Sequence, residues 1–167
     1  MIERHSKARI PTLEVYTDGS LKESGKTTFG GWGFIVIQND HKIYSAAGNE
    51  INTTNQRMEL QAISEGLKYA SSIRRPLEKI SVYSDSNYAI NCYMQEWYIQ
   101  WMENGWHNSK HKPIANRDLW DNIIPYFDNY WYEFHHVNAH TNVFWNNEAD
   151  ELAQSAADYA KKYWRVL

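Results

Sequence analysis

The stretch GFIVIQNDHKIYSAA, residues 33–47, carries the topology of the first half of the chain. Residues 33–38 and 42–47 are rich in β-branched and aromatic side chains, and Asn39-Asp40-His41 between them is turn chemistry, so the stretch reads as a hairpin. Upstream, Leu13-Glu14-Val15-Tyr16-Thr17 alternates like a strand and runs into Asp18-Gly19-Ser20, where turn residues are expected to stop it. The first three strands are therefore predicted to form an antiparallel meander.

Downstream the period changes. TTNQRMEL, residues 53–60, opens a predicted helix that continues through QAISEGL, and Thr53 with Gln56 fits a capping box. Residues 79–84 read as a strand, Asp85-Ser86-Asn87 as a helix cap, 118–127 as helix, 131–137 as strand and 147–161 as the last helix. The order β-β-β-α-β-α-α-β-α predicts an α/β fold: a five-stranded mixed sheet whose later strands are reached by helical crossovers, with helices on both faces.

Composition bounds the function. A chain of 167 residues, 43% hydrophobic and 22% charged, fits one domain, assigned to residues 13–162 behind a flexible basic tail at 1–12. Apolar runs such as Phe34-Ile35-Val36-Ile37 are too short to cross a bilayer, and residues 1–11 lack the apolar stretch of a secretory signal. A soluble, cytoplasmic monomer is expected, with no membrane partner. The lone Cys92 cannot form an internal disulfide and reads as packing. A net charge of −3 argues against a general nucleic-acid binder, so the distribution of charge matters more than its sum.

One carboxylate is out of place. Glu59 shares the helical stripe of Ala62, Ile63, Gly66 and Ala70, which should lie against the sheet. Asp18 is expected to close the first strand and Asp85 the fourth. Asp150, read as lying in the first turn of the last helix, shares a stripe with Ala153 and Ala157. Each has an ordinary explanation alone, since strand-end Asp is turn chemistry and helix starts favour acids. Brought together without Arg or Lys partners, the four cannot all stay ionised unless cations neutralise them. Magnesium, which binds through a few carboxylates and keeps several waters, fits an open acidic cleft. Two such ions about 3.5–4 Å apart would suit phosphodiester hydrolysis.

With Tyr16-Thr17-Asp18-Gly19-Ser20, the TTNQRMEL segment, Ser84-Asp85-Ser86, Trp97-Tyr98-Ile99-Gln100-Trp101, Gly105-Trp106, Asn116-Arg117-Asp118-Leu119-Trp120 and His140 through Asp150-Glu151-Leu152-Ala153, the chain resembles type 1 ribonuclease H. The resemblance implies the ribonuclease H-like fold and endonucleolytic cleavage of the RNA strand of RNA:DNA hybrids, leaving 5′-phosphate and 3′-hydroxyl ends. It implies two Mg2+ ions, or Mn2+ in their place, on Asp18, Glu59, Asp85 and Asp150. It gives His140 a part in proton transfer or product release. It places Asn55 and Gln56 on the RNA strand and Thr54 on a DNA phosphate, and adds Trp97, Trp101, Asn116 and Trp120 as nucleic-acid contacts.

Residues 104–117 hold Lys110, Lys112, Arg117, His107 and His111 and no acid, among Trp97, Trp101, Trp106 and Trp120. Either the tryptophans line a groove for DNA sugars and phosphates, the reading the resemblance favours, or they are a core cluster beneath a solvated loop. Two departures stand out. Residues 21–29, expected as a loop, are poorer in Gly and Pro than in familiar bacterial members, and Met102-Glu103-Asn104 with Ala115 makes this region less basic. His107 and His111 lack the further ligands of a zinc site, and His135 and His136 should face opposite sides of a strand. Two alternatives remain: another nuclease or strand-transferase of the same fold, and a hybrid-binding module without catalysis.

Overall fold

The computed structural model describes residues 9–138 and 143–164. Its strands are β1 (Thr12–Ser24), β2 (Thr27–Gln38), β3 (His41–Ile51), β4 (Lys79–Ser84) and β5 (Tyr132–His136). They form one sheet in the order β3-β2-β1-β4-β5, the first three antiparallel and the last two parallel to β1. The mixed sheet predicted from sequence is the observed one.

The hairpin turn between β2 and β3 is the two residues Asn39 and Asp40, with φ of 50° and 64°. Positive φ at both positions is the turn whose twist matches that of the flanking strands. At the first hairpin, the predicted loop at 21–29 is replaced by strand. β1 runs through Asp18-Gly19-Ser20 to Ser24, and the chain reverses only at Gly25 (φ 61°) and Lys26. Gly and Asp can sit in a strand when a neighbouring strand pairs with them, and β2 pairs with β1 as far as Ser24↔Thr27.

The helices are α1 (Asn55–Ile73), α2 (Asn87–Met94), α3 (Trp97–Glu103), α4 (Arg117–Ile123), which passes into a 3-10 turn at Ile124–Tyr126, and α5 (Phe144–Tyr163). Three helices separate β4 from β5 where two were expected, because Glu96, at φ 55°, breaks the path between α2 and α3. Alternate residues of β2 go to opposite faces. Phe34 and Val36 join Leu13, Val15, Leu60, Ile63 and Leu67 under α1, while Ile35 and Ile37 join Tyr16 and Ala149 under α5. Helix α5 lies very close to β2, since a Cβ on Gly31 would collide with the Ala153 carbonyl and one on Gly33 would sit 2.7 Å from Leu152 Cβ. Among the described residues, no helix is long and apolar enough to cross a membrane.

Candidate active site

The parallel pairing of β1 with β4 ends at Tyr16↔Tyr83. Thr17 Oγ1 still donates to the Tyr83 carbonyl at 2.9 Å, and beyond that point the two strands part. Asp18 and Asp85 are the first acids past the parting on each side, in the crevice where sheets of this kind collect ligands. Asp18 thus lies within β1 and not at its end, yet it occupies the rim the sequence suggested.

Glu59 arrives from α1. The helix is capped by Thr54, whose hydroxyl accepts from Arg57 N–H at 3.1 Å, and not by the Thr53–Gln56 box. The backbone of Thr53 is already engaged, its N–H and carbonyl both bonded to the Thr28 hydroxyl, so the cap falls one residue later. Gly19 then allows the first turn of α1 to touch β1: an added Cβ would lie 2.5 Å from Glu59 N. Carboxylate oxygens of Asp18, Glu59 and Asp85 come within 4.8 Å of one another, a candidate metal-binding triad.

Asp150 stands on the seventh residue of α5, because that helix begins at Phe144 rather than at 147. A helix-dipole explanation, which fades beyond the first turn, therefore does not apply. Its carboxylate lines the same cavity of about 160 Å³ as the triad, together with Gly19, Asn55, Asn146 and Asn147, which is room for several waters or hydrated ions. None of the four acids pairs with a described Lys, Arg or His.

The electrostatics follow. Asp18 is 5% exposed, and burial, with the charge of Asp85 second, pushes its carboxyl up to about 8. Gly19 N–H donates to Asp18 Oδ1 at 2.8 Å and offsets only part of that. Burial, then Asp85, raises Glu59 to about 7 against opposing hydrogen bonds from Ser86 and from Asn55, whose Nδ2 donates at 3.1 Å. Burial and Asp150 raise Asp85 as well. Asp85 Oδ1 and Asn146 Oδ1 are buried without a hydrogen-bond partner among the described residues. Crowded carboxylates whose charge is opposed by burial, beside an orphaned oxygen, make this a candidate site for hard cations.

The model of the RNase H family matches residues 11–158. The chain belongs to the RNase H family. It is 42% identical over 142 residues to Ribonuclease H of Syntrophomonas wolfei, covering 85% of this chain and 93% of that one. Ribonuclease H of Symbiobacterium thermophilum is 38% identical, covering 85% and 92%. Among solved structures, LC9-RNase H1, a type 1 RNase H with the type 2 active-site motif, superposes with a TM-score of 0.74 at 25% identity over 92% of this chain and 75% of that one. The foamy viral protease-reverse transcriptase, solved in complex with an RNA/DNA hybrid, shares the fold with a TM-score of 0.77 at 23% identity, over 89% of this chain and 20% of that one. The activity class of the chain is that of a ribonuclease H.

In this RNase H family member the other expected site residues fall into distinct surroundings. Thr54 and Asn55 are exposed and Gln56 half-buried at the start of α1, beside the acids. The tryptophans divide. Trp120 is fully buried and Trp101 is 7% exposed, packed edge-on at 5.4 Å between ring centroids, so the core-cluster reading holds for this pair and Trp120 has no surface to offer a ligand. Trp97 and Trp106 are half-buried around them, and Arg117 lies over the Trp106 ring at 4.6 Å. Asn116 stands at φ 62° before α4 and accepts from Arg57 at 3.3 Å. Residues 104–116 are a folded loop, closed by Ile114 N–H to the Trp106 carbonyl at 2.9 Å and Asn108 N–H to the Lys112 carbonyl at 2.8 Å. His140 lies outside the described residues. Sequence reading missed Asn146 and Asn147; the spacing of four between Asn146 and Asp150 was the available signal.

Proposed function

We propose that the chain hydrolyses the RNA strand of RNA:DNA hybrids at the Asp18, Glu59, Asp85 and Asp150 cluster with two divalent ions, Mg2+ or Mn2+, leaving 5′-phosphate and 3′-hydroxyl ends. The observation that carries this reading is the triad of carboxylates within 4.8 Å of one another, none of them in an ion pair with a Lys, Arg or His among the described residues. When bound, the ions neutralise the acids and stabilise charge developing on the attacking and leaving oxygens of an in-line displacement. The residues of the chain set the geometry. Gly19 N–H fixes Asp18, the Asn55 amide fixes Glu59, and Gln154 Nε2, donating to Asp150 Oδ2 at 2.8 Å, fixes Asp150.

Hybrid recognition falls to the surface beside this cavity. Thr54, Asn55 and Gln56 would meet backbone and 2′-hydroxyl groups, the feature that distinguishes RNA from DNA. Trp97, Asn116 and the basic residues of 104–117 would hold the DNA strand, with Trp101 and Trp120 supporting them from the core. His140 is assigned proton transfer or product release. The protein is taken to act as a cytoplasmic monomer whose catalytic domain spans residues 13–162.

A cleavage assay tests the reading. With Mg2+, RNA:DNA duplexes should be cut and RNA:RNA and DNA:DNA duplexes left intact, and Asp85→Asn should lower the rate by at least about 100-fold, the scale of losing a group that acts on the transition state. Cleavage of DNA:DNA would point to another nuclease of the fold, and hybrid binding without cleavage to a non-catalytic module.

A further inference from the structure

Helix α5 packs on the sheet through buried Ala149, Ala153, Ala157 and Ala160, and the buried residue that continues this stripe toward the helix start is Asn146. It is 3% exposed, and its Oδ1 has no partner among the described residues. A buried carbonyl without a donor costs free energy that the alanine pattern around it avoids. The neighbouring Asn147 also lines the cavity but is exposed, so solvent can serve its amide.

Asn146 shares its cavity with the four acids, and Asp85 Oδ1 is likewise orphaned there. Two buried, unpartnered acceptors on residues that line one cavity call for positive charge or for donors. A neutral amide oxygen competes poorly with carboxylates for a hard cation, and magnesium in such a cleft keeps several of its waters. Those waters are hydrogen-bond donors polarised by the ion.

We infer that Asn146 is a positioning residue for the hydrated cation, its Oδ1 accepting a hydrogen bond from a water in the ion's hydration shell. This rests on the reading of the acids as a divalent-cation site. Asn146 does the same for the ion's water shell as Asn55 does for Glu59: it fixes the orientation of a group that would otherwise rotate.

The test is calorimetric titration of Mg2+ into the metal-free full chain without nucleic acid, with thermal melts of the same samples. Asn146→Leu should bind Mg2+ about tenfold or more weakly, the usual consequence of losing an outer partner of a metal site. Its metal-free melting temperature should equal or exceed that of the parent, because an orphaned acceptor has been removed. Asn146→Gln, which keeps a neutral amide acceptor and adds no charge, should bind Mg2+ more tightly than Asn146→Leu. Mg2+ affinity within twofold of the parent in Asn146→Leu overturns the inference and leaves the acidic site standing. If Asn146→Leu loses metal-free stability, Asn146→Gln decides: affinity restored above that of Asn146→Leu supports the role, and affinity as weak as that of Asn146→Leu overturns it. Undiminished binding in Asp85→Asn, or none in the parent, overturns the underlying cation site instead.

Discussion

A Cβ placed on Gly19 would lie 2.5 Å from the backbone nitrogen of Glu59 and 2.7 Å from the carbonyl carbon of Met58. The contact sets how far Asp18, one residue earlier, stands from Glu59, so the spacing of two candidate metal ligands depends on a missing methyl group. Gly19→Ala should push the first turn of α1 away from β1. The cost to stability should be about 1–3 kcal/mol, as for other overpacked sites. Hydrolysis should fall on the order of 100-fold, because displacements near 1 Å at a catalytic centre have that effect. Thermal melts and cleavage rates at saturating Mg2+ measure both. Parental values in both would show that the backbone yields without moving the acids.

Asp18 and Glu59 make stability depend on pH in a stated direction. In the metal-free fold their carboxyls are held up to about 8 and about 7, against ordinary values of 3.8 and 4.5, by burial and by Asp85. Between pH 4 and pH 8 the folded state binds more protons than the unfolded one, so stability falls as pH rises. The favourable contribution is complete below about pH 4 and gone above about pH 8. Cation binding must expel these protons, so added Mg2+ should raise the melting temperature more at pH 8.5 than at pH 5.5. Melts across that range with Mg2+ and with EDTA check the sign. A larger gain at pH 5.5 would mean the ion sits elsewhere.

The acidic cluster is legible in the sequence more fully than the elements that build it. Glu59 was legible because an acid on a stripe of Ala62, Ile63 and Gly66 has no reason to be there unless the site needs it. The sheet was legible because Asn39-Asp40 is turn chemistry between two runs of strand residues. Asp18 was placed at a strand end because Asp-Gly-Ser is turn chemistry too, and only pairing with β2, a tertiary effect, carries the strand through it to Ser24. The early start of α5 was hidden for a related reason: no side chain caps it at Val143, so no local signal marks residue 144. Trp101 and Trp120 could be read as groove or core, since spacing on a helix face does not say what the face meets.

The division of the tryptophans gives opposite expectations for two substitutions. Trp120 is fully buried against Tyr88, Trp101 and Phe127. Trp120→Ala should therefore cost about 3–5 kcal/mol of stability. Trp97 is half-buried, packs on Tyr88 and Trp101, and donates from Nε1 to Gln95 at 3.1 Å. Trp97→Ala should cost less stability and weaken hybrid binding, by about 1–3 kcal/mol if a ring face is lost to the substrate. Denaturant melts and hybrid titration with EDTA separate the two. Equal losses of stability would return Trp97 to the core.

Arg57 ties three elements together. Its Nε donates to Glu50 at 3.0 Å, Nη2 and Nη1 grip Asp118 at 2.7 and 3.0 Å, and Nη1 also reaches Asn116 at 3.3 Å. The end of β3, the first turn of α1 and the start of α4 thus share one guanidinium, and hydrogen bonds from Arg57, with its charge adding to them, hold Asp118 below the usual carboxylate range. Asp118 is 61% exposed, so the ion pair itself contributes little, about 0.2–1 kcal/mol. Its larger effect is orientation: the planar fork holds the loop of residues 104–116 against α1, and an ammonium cannot make the same set of bonds. Arg57→Lys should lower stability by about 1 kcal/mol or less and raise KM for the hybrid several-fold with kcat nearly unchanged, because the acids are not disturbed. The stability part should shrink further in high salt, as expected of an exposed pair. A matching fall in kcat would show that Arg57 acts on the acids through α1, and an unchanged KM that the loop is held without it.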